Sequence, residues 1–204
     1  MEGQAIKEFK YGWPVVGSSA IGIGLGMSPL PFYTIGVFVA PFMQEFGWGV
    51  ADVMLALSVF SFAALFTSPL IGIITDRIGV RKTVLLSILT FGLCFMAFSL
   101  NNGSRGLYLS LWALLAFLGS GTFPITWTRA INKWFHKKRG LALGISLLGT
   151  GLFGAFAKIY AAWLIENYGW KMAYVGLALL PLLILEVIPM ILKFMHLICL
   201  KRVI

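Results

Sequence analysis

Charge is scarce in this chain. Only 11% of the 204 residues are Asp, Glu, Lys or Arg, under half the roughly 25% typical of a soluble domain, so an ordinary soluble fold is excluded. Acids are scarcest, seven in all. The two cysteines, Cys94 in an apolar run and Cys199 near the end, are too far apart for a disulfide framework or a metal spacing. The two histidines, His136 and His196, are isolated from each other, and His136 sits in a basic loop where solvation accounts for it. With no Ser/His/Asp set, no phosphate loop and no metal cluster, the sequence implies neither enzyme chemistry nor a cofactor. A cleavable signal peptide is not expected either, because the first apolar run is too long and follows Lys7 and Lys10.

What the chain has is apolar length. Hydrophobic residues make up 59% of it, in six runs near the ~20 residues a bilayer-spanning helix needs: Trp13–Ala40, Val53–Thr75, Val84–Leu100, Leu107–Ile131, Leu141–Ile165 and Trp170–Leu192. No run alternates with period two, which leaves helix as the spanning form that satisfies its own backbone. An all-α membrane protein is expected, with 1–12 as an N-terminal segment, 13–192 as the spanning unit and 193–204 as a tail. The net charge of +9 would suggest nucleic acid in a soluble protein, but here the basic residues follow the links. Twelve (Lys7, Lys10, Arg77, Arg81, Lys82, Lys133, Lys137, Lys138, Arg139, Lys193, Lys201, Arg202) fall on one side of a six-span layout, and Arg105 and Lys171 on the other. That bias puts both termini in the cytoplasm and removes the case for nucleic acid. NNGSRG (101–106) and ENYGW (166–170) read as short turns on the opposite side.

Between the second and third runs lies GIITDRIGVRKT, Gly72 to Thr83. Topology accounts for Arg77, Arg81 and Lys82. Asp76, at the exit of a span, is suited to capping the positive end of a neighbouring helix, and Gly79 permits a tight turn. The pattern Gly72-x-x-x-Asp76-Arg77-x-Gly79-x-Arg81-Lys82 resembles the loop signature between spans two and three of the major facilitator superfamily. WFHKKRGLALGISLLGTG (134–151) resembles the loop between spans four and five of its monocarboxylate-carrier-like members, a grouping that includes the oxalate/formate-antiporter-like carriers. EFKYGW (8–13) is a weaker echo of that group's entry to span one: Glu8, Tyr11, Gly12 and Trp13 fit, Phe9 and Lys10 do not. The resemblance implies a carrier half, six helices as two inverted three-helix repeats, out of twelve in the whole. It also implies a latch role for the Gly72–Lys82 loop and a substrate held between two halves. The second half would be another six-span chain or a second copy of this one. Where animal monocarboxylate carriers have a lysine in span one, this chain has Pro31, Phe32 and Tyr33.

Charged groups inside spans are costly and are functional candidates. Arg129 and Glu186 lie roughly 12 and 10 Å from the same face at 1.5 Å per residue; they can pair, or each can snorkel to the interface. Lys158 shares a helix face with Gly144, Leu148, Gly151, Ala155 and Ala162. That face of mostly small residues points a cation into the bundle or a water cavity, against the alternative of a structural lysine bonded to carbonyls. Gly22, Gly26, Pro29 and Tyr33 share a face of the first run, and Trp127, Phe123 and Tyr160 can shape an apolar pocket or simply pack. The expected function is secondary transport of a small organic anion, such as a mono- or dicarboxylate, across the cell membrane. Lys158, Arg129, Tyr33 and Trp127 are the expected substrate contacts. The alternative is a truncated fragment or a membrane accessory or sensor that transports nothing.

Overall fold

Proline and glycine, more than polar loops, decide where the helices of this chain begin and end. The computed structural model describes the backbone of residues 2–203 and the side chains of residues 12–183 other than Arg81 and Lys133. Among the described residues seven α-helices follow in order: α1 (Glu2–Gly24), α2 (Pro29–Phe46), α3 (Val50–Ile78), α4 (Val80–Ala97), α5 (Arg105–Leu118), α6 (Pro124–Trp134) and α7 (Arg139–Val203). No strand occurs among the described residues. Four helical stretches are long and apolar enough to cross a membrane: Gly12–Phe46, Val50–Ile78, Lys82–Leu100 and Arg139–Leu183.

The first expected span is one run in the sequence but two helices in the structure, and it continues to Phe46. The fourth is likewise split, into α5 and α6. The reason is the same at both places. Pro29 and Pro124 open α2 and α6. A proline there supplies no N–H and its ring blocks continuation from the preceding turn. The sequence around each break is Gly-x-Gly-x-x-Pro, at 24–29 and again at 119–124. The two breaks touch: the Met27 amide donates to Thr122 Oγ1 at 3.0 Å.

Two single glycines turn the chain. Gly79 alone separates α3 from α4, at φ 86 and ψ 152, and Gly169 interrupts α7 at φ 82 and ψ 165. Both conformations are essentially restricted to glycine. Past Gly169 the chain doubles back, since Gly176 lies against Leu164 and Tyr160; in a straight helix Leu164 and Gly176 would stand about 18 Å apart. The fifth and sixth expected runs are therefore the two arms of α7.

The first arm packs on α1, where the Ser146 hydroxyl meets the Val16 carbonyl at 3.4 Å. The second arm packs on α2 and α4 through Tyr174, whose ring stacks on Phe38 at 4.1 Å and meets Phe95 of α4 at 5.4 Å, and stacks at 5.1 Å on Phe98 just past the end of α4. The large core lies toward the Gly169 end and is aromatic: Phe42, Phe98, Tyr108, Trp112 and Tyr174 are all buried. A small second core, Val15, Val16, Ile131, Phe135 and Ala142, lies toward the Gly79 end. The expected short turn at 101–106 is more than a solvated link, because Asn101 is fully buried and Arg105 pairs with Asp52 at 3.1 Å. α3 leaves most of its apolar surface open, with Phe62, Leu65, Phe66, Leu70 and Ile73 all exposed.

Candidate functional site: a lysine flank and an ion-paired cavity

The four expected substrate contacts do not converge. α7 before Gly169 buries one stripe, Gly149, Gly154, Ala157, Ala161 and Leu164, against its neighbours. Its two remaining flanks differ in kind. One carries large apolar groups, Leu152, Phe156, Ile159 and Trp163, all exposed. Phe156 and Tyr160 stack in parallel there at 6.0 Å, and Tyr160 and Trp163 at 6.3 Å. The other flank is mostly small and bears the cation: Gly144, Gly151, Ala155 and Lys158 are exposed, as is Leu148, and Ala162 is half-buried. Lys158 thus lies on an open surface and not inside the bundle, and it makes no ion pair among the described residues. Tyr33 is its neighbour. The Tyr33 ring, 41% exposed, lies against Gly154, one helical turn before Lys158 on nearly the same face.

Arg129 and Trp127 are elsewhere. Two residues apart on α6, they face opposite ways, as a 3.6-residue period requires. Trp127 is 4% exposed, with its indole against Gly22 of α1; the ring nitrogen has no hydrogen-bond acceptor among the described residues. Arg129 turns to α3. Its Nη1 donates to Asp76 Oδ1 at 2.6 Å and to the Gly72 carbonyl at 3.5 Å. Asp76, suited by its position to cap a helix end, meets a side-chain cation instead. Arg129 pairs with this acid, and Glu186, its other expected partner, has a side chain outside the described residues. Charge and geometry explain the choice, since a carboxylate and a carbonyl within reach of one guanidinium give it charge-assisted hydrogen bonds. The pair borders a half-open cavity of about 540 Å³ whose walls are largely apolar, Leu65, Pro69, Ile73 and Ile125 among them.

Of the expected latch loop, Gly72 and Asp76 belong to this cavity, Gly79 makes the reversal, and Arg77 and Lys82 are exposed. The Arg81 side chain lies outside the described residues. Residue-by-residue reading missed two things. One was Gly154, for which no sequence signal exists without its partner. The other was the pairing of the two helix breaks, for which a signal was present in the repeated Gly-x-Gly-x-x-Pro, 95 residues apart. A second echo joins the two reversals: Asp76-x-x-Gly79-x-Arg81 and Glu166-x-x-Gly169-x-Lys171.

Long apolar helices, with breaks within two of the apolar runs, are those of a multi-pass helical membrane protein. The family model of the Major Facilitator Superfamily matches residues 21–196, and the chain belongs to that family. Its relatives include monocarboxylate transporter 13 of Rattus norvegicus, 30% identical over 176 residues, which cover 84% of this chain and 40% of the relative. Monocarboxylate transporter 14 of Mus musculus is 27% identical, with 68% of this chain and 27% of the relative covered. Monocarboxylate transporter 2 of Mesocricetus auratus is 25% identical, with 79% and 33% covered. The chain therefore spans 40% or less of the length of these relatives. All three relatives are named as transporters and none as an enzyme.

Proposed function

We propose that the chain forms one wall of a secondary carrier for a small organic anion such as a mono- or dicarboxylate. The observation that carries this reading is Lys158, an exposed cation within an apolar helix, on a flank of small residues beside Tyr33, with no acid paired to it among the described residues. An ammonium on a membrane-spanning helix is costly without a counter-charge, and a transiting carboxylate supplies one. The names of the relatives, monocarboxylate transporters, agree with an anionic substrate. Trp127 and Arg129 would join such a site after a rearrangement that frees Trp127 from Gly22 and Arg129 from Asp76.

The remaining architecture is proposed on the same footing. Six spans in 13–192 form two inverted three-helix repeats, each opening with a span broken at Gly-x-Gly-x-x-Pro and each turning at a lone glycine. Residues 1–12 and the tail 193–204 lie in the cytoplasm of a cell-membrane protein, supported by the basic bias of the links. Gly72, Asp76, Arg77, Gly79, Arg81 and Lys82 act as the latch that favours one access state, with Arg129 as the cation Asp76 holds. A second six-span half or a second copy supplies the opposite wall.

The test is carboxylate affinity, measured on the purified chain in nanodiscs. Lys158→Gln should weaken binding by an order of magnitude or more, as expected when a charged hydrogen-bond partner worth about 1.5–3 kcal/mol is removed. Lys158→Arg keeps the charge with altered donor geometry and should retain part of the affinity. Wild-type affinity in well-folded Lys158→Gln protein would rule out the anion role. Vectorial uptake by a proven monomer would show that no second wall is needed.

A further inference from the structure

The closest approach beside Lys158 is between Tyr33 of α2 and Gly154 of α7. A Cβ built on Gly154 would stand 2.8 Å from Tyr33 Cγ and Cδ2 and 3.0 Å from Cδ1. Those three ring atoms are nearly equidistant, so the root of the ring lies flat on the bare helix backbone. This overlap could not be relieved at the far end of a flexible chain, because Cγ is one bond from the Cβ that α2 anchors. Neither backbone is free to retreat. On α2, Leu30, Thr34 and Ile35 are buried on either side of Tyr33. On α7, Ala157 and Ala161 are buried, and Gly149 lies directly against the Ala20 carbonyl.

We propose that Gly154 is a specificity-determining residue: by having no side chain it parks the Tyr33 ring against α7 and sets the clearance beside Lys158, and so the size of organic anion that reaches the lysine. This inference rests on the reading of Lys158 as an anion contact. With a methyl at 154 the ring must rotate away from the helix. The buried stripe of α7 closes one direction. The open direction is the small-residue flank, where Lys158 stands one turn further along. The ring would then occupy space that a carboxylate larger than the smallest would need. A glycine that only let two helices approach would have no such effect, because its substitution would loosen the seam without narrowing access at 158.

The experiment uses the full chain in nanodiscs with Cys94→Ala, Cys199→Ala and Lys158→Cys, and follows modification of the new thiol by a small and a bulky anionic methanethiosulfonate. Adding Gly154→Ala should lower the bulky-to-small rate ratio by about tenfold, the scale on which one methyl group changes fit in an apolar pocket. Adding Tyr33→Ala as well should restore the ratio. An unchanged ratio in Gly154→Ala overturns the proposal. So does an equal loss of both rates that Tyr33→Ala leaves unrelieved, which would make Gly154 a packing residue only. Carboxylate affinity of the Lys158→Gln chain is the separate arm. If affinity stays at the wild-type level while the thiol ratio shifts, the clearance is real but the anion reading, and with it the specificity role, falls. If affinity falls while the ratio does not move, the anion reading stands and Gly154 loses its role.

Discussion

The Gly169 end and the Gly79 end of this molecule are built on opposite principles. Toward Gly169 the helices close on an aromatic core. Phe98 sits among Tyr174, Trp112 and Tyr108 with ring centroids 5.1, 5.7 and 6.0 Å away. Glu45 accepts from the Trp170 indole, and Lys171 lies 5.3 Å over that ring. Toward Gly79 the packed core shrinks to five residues, and a half-open cavity with an Asp76–Arg129 pair takes its place. Close-packed aromatic rings have few alternative arrangements. An ion pair on the wall of an open cavity has several, since water or another helix can take up either charge. The difference assigns rigidity to one end and exchangeable contacts to the other.

The sharpest way to break this comparison is to hollow the packed end. Phe98→Ala should cost about 3–5 kcal/mol, the range for a buried Phe cut to Ala. Ile73→Ala at the cavity end, exposed at 54%, should stay within about 0.5 kcal/mol. Thermal unfolding in one detergent compares them, and equal losses would mean that the two ends are packed alike. Next come the helix seams. A Cβ at Gly149 would overlap the Ala20 carbonyl, so Gly149→Ala should cost about 1–3 kcal/mol through overpacking. Gly151→Ala, two residues on and exposed, should be neutral or slightly stabilising, because alanine is the better helix former by up to about 1 kcal/mol. A similar loss at both would show that the small-residue flank is packed and not open.

The two reversals are where the ends should behave alike. No atom lies within 4 Å of a Cβ placed on Gly79 or Gly169, so alanine at either is opposed by backbone strain alone, about 1–3 kcal/mol. Unfolding midpoints should fall by similar amounts, and no change at either would mean that the turn can relax. The smallest effect belongs to the ion pair. Asp76 and Arg129 side chains are 73% and 37% exposed, so Asp76→Asn should cost only about 0.2–1 kcal/mol. Part of even that should vanish at 1 M salt, where the Debye length is about 3 Å. If the proposed latch role holds, the same variant in a complete or paired carrier should shift the balance of access states, read as cysteine accessibility from each side. Unchanged accessibility would leave Asp76 as a topology residue.

Much of this molecule was legible from residues near one another in the chain. Lack of charge, apolar length and the absence of period-two alternation point to membrane helices without any knowledge of partners, and the isolated Gly79 in a charged link marks a reversal because only glycine adopts that backbone cheaply. The breaks at 25–28 and 119–123 were written there too, as a repeated Gly-x-Gly-x-x-Pro, but a proline inside a long apolar run reads as a kink until the second break is found lying against the first. What the tertiary structure alone decided is who meets whom. Arg129 had an acid at a plausible depth in Glu186, and the fold instead set α6 where the Arg129 side chain reaches Asp76 of α3. Trp127, two residues away, was turned behind α1 by the helical period and by the bare backbone of Gly22. Gly154 carries no mark of its own, since a glycine in a helix matters only through the ring that lies on it. Composition and periodicity are properties of one segment, whereas the partner of a charge and the clearance above a glycine are set by the distance between two segments far apart in sequence.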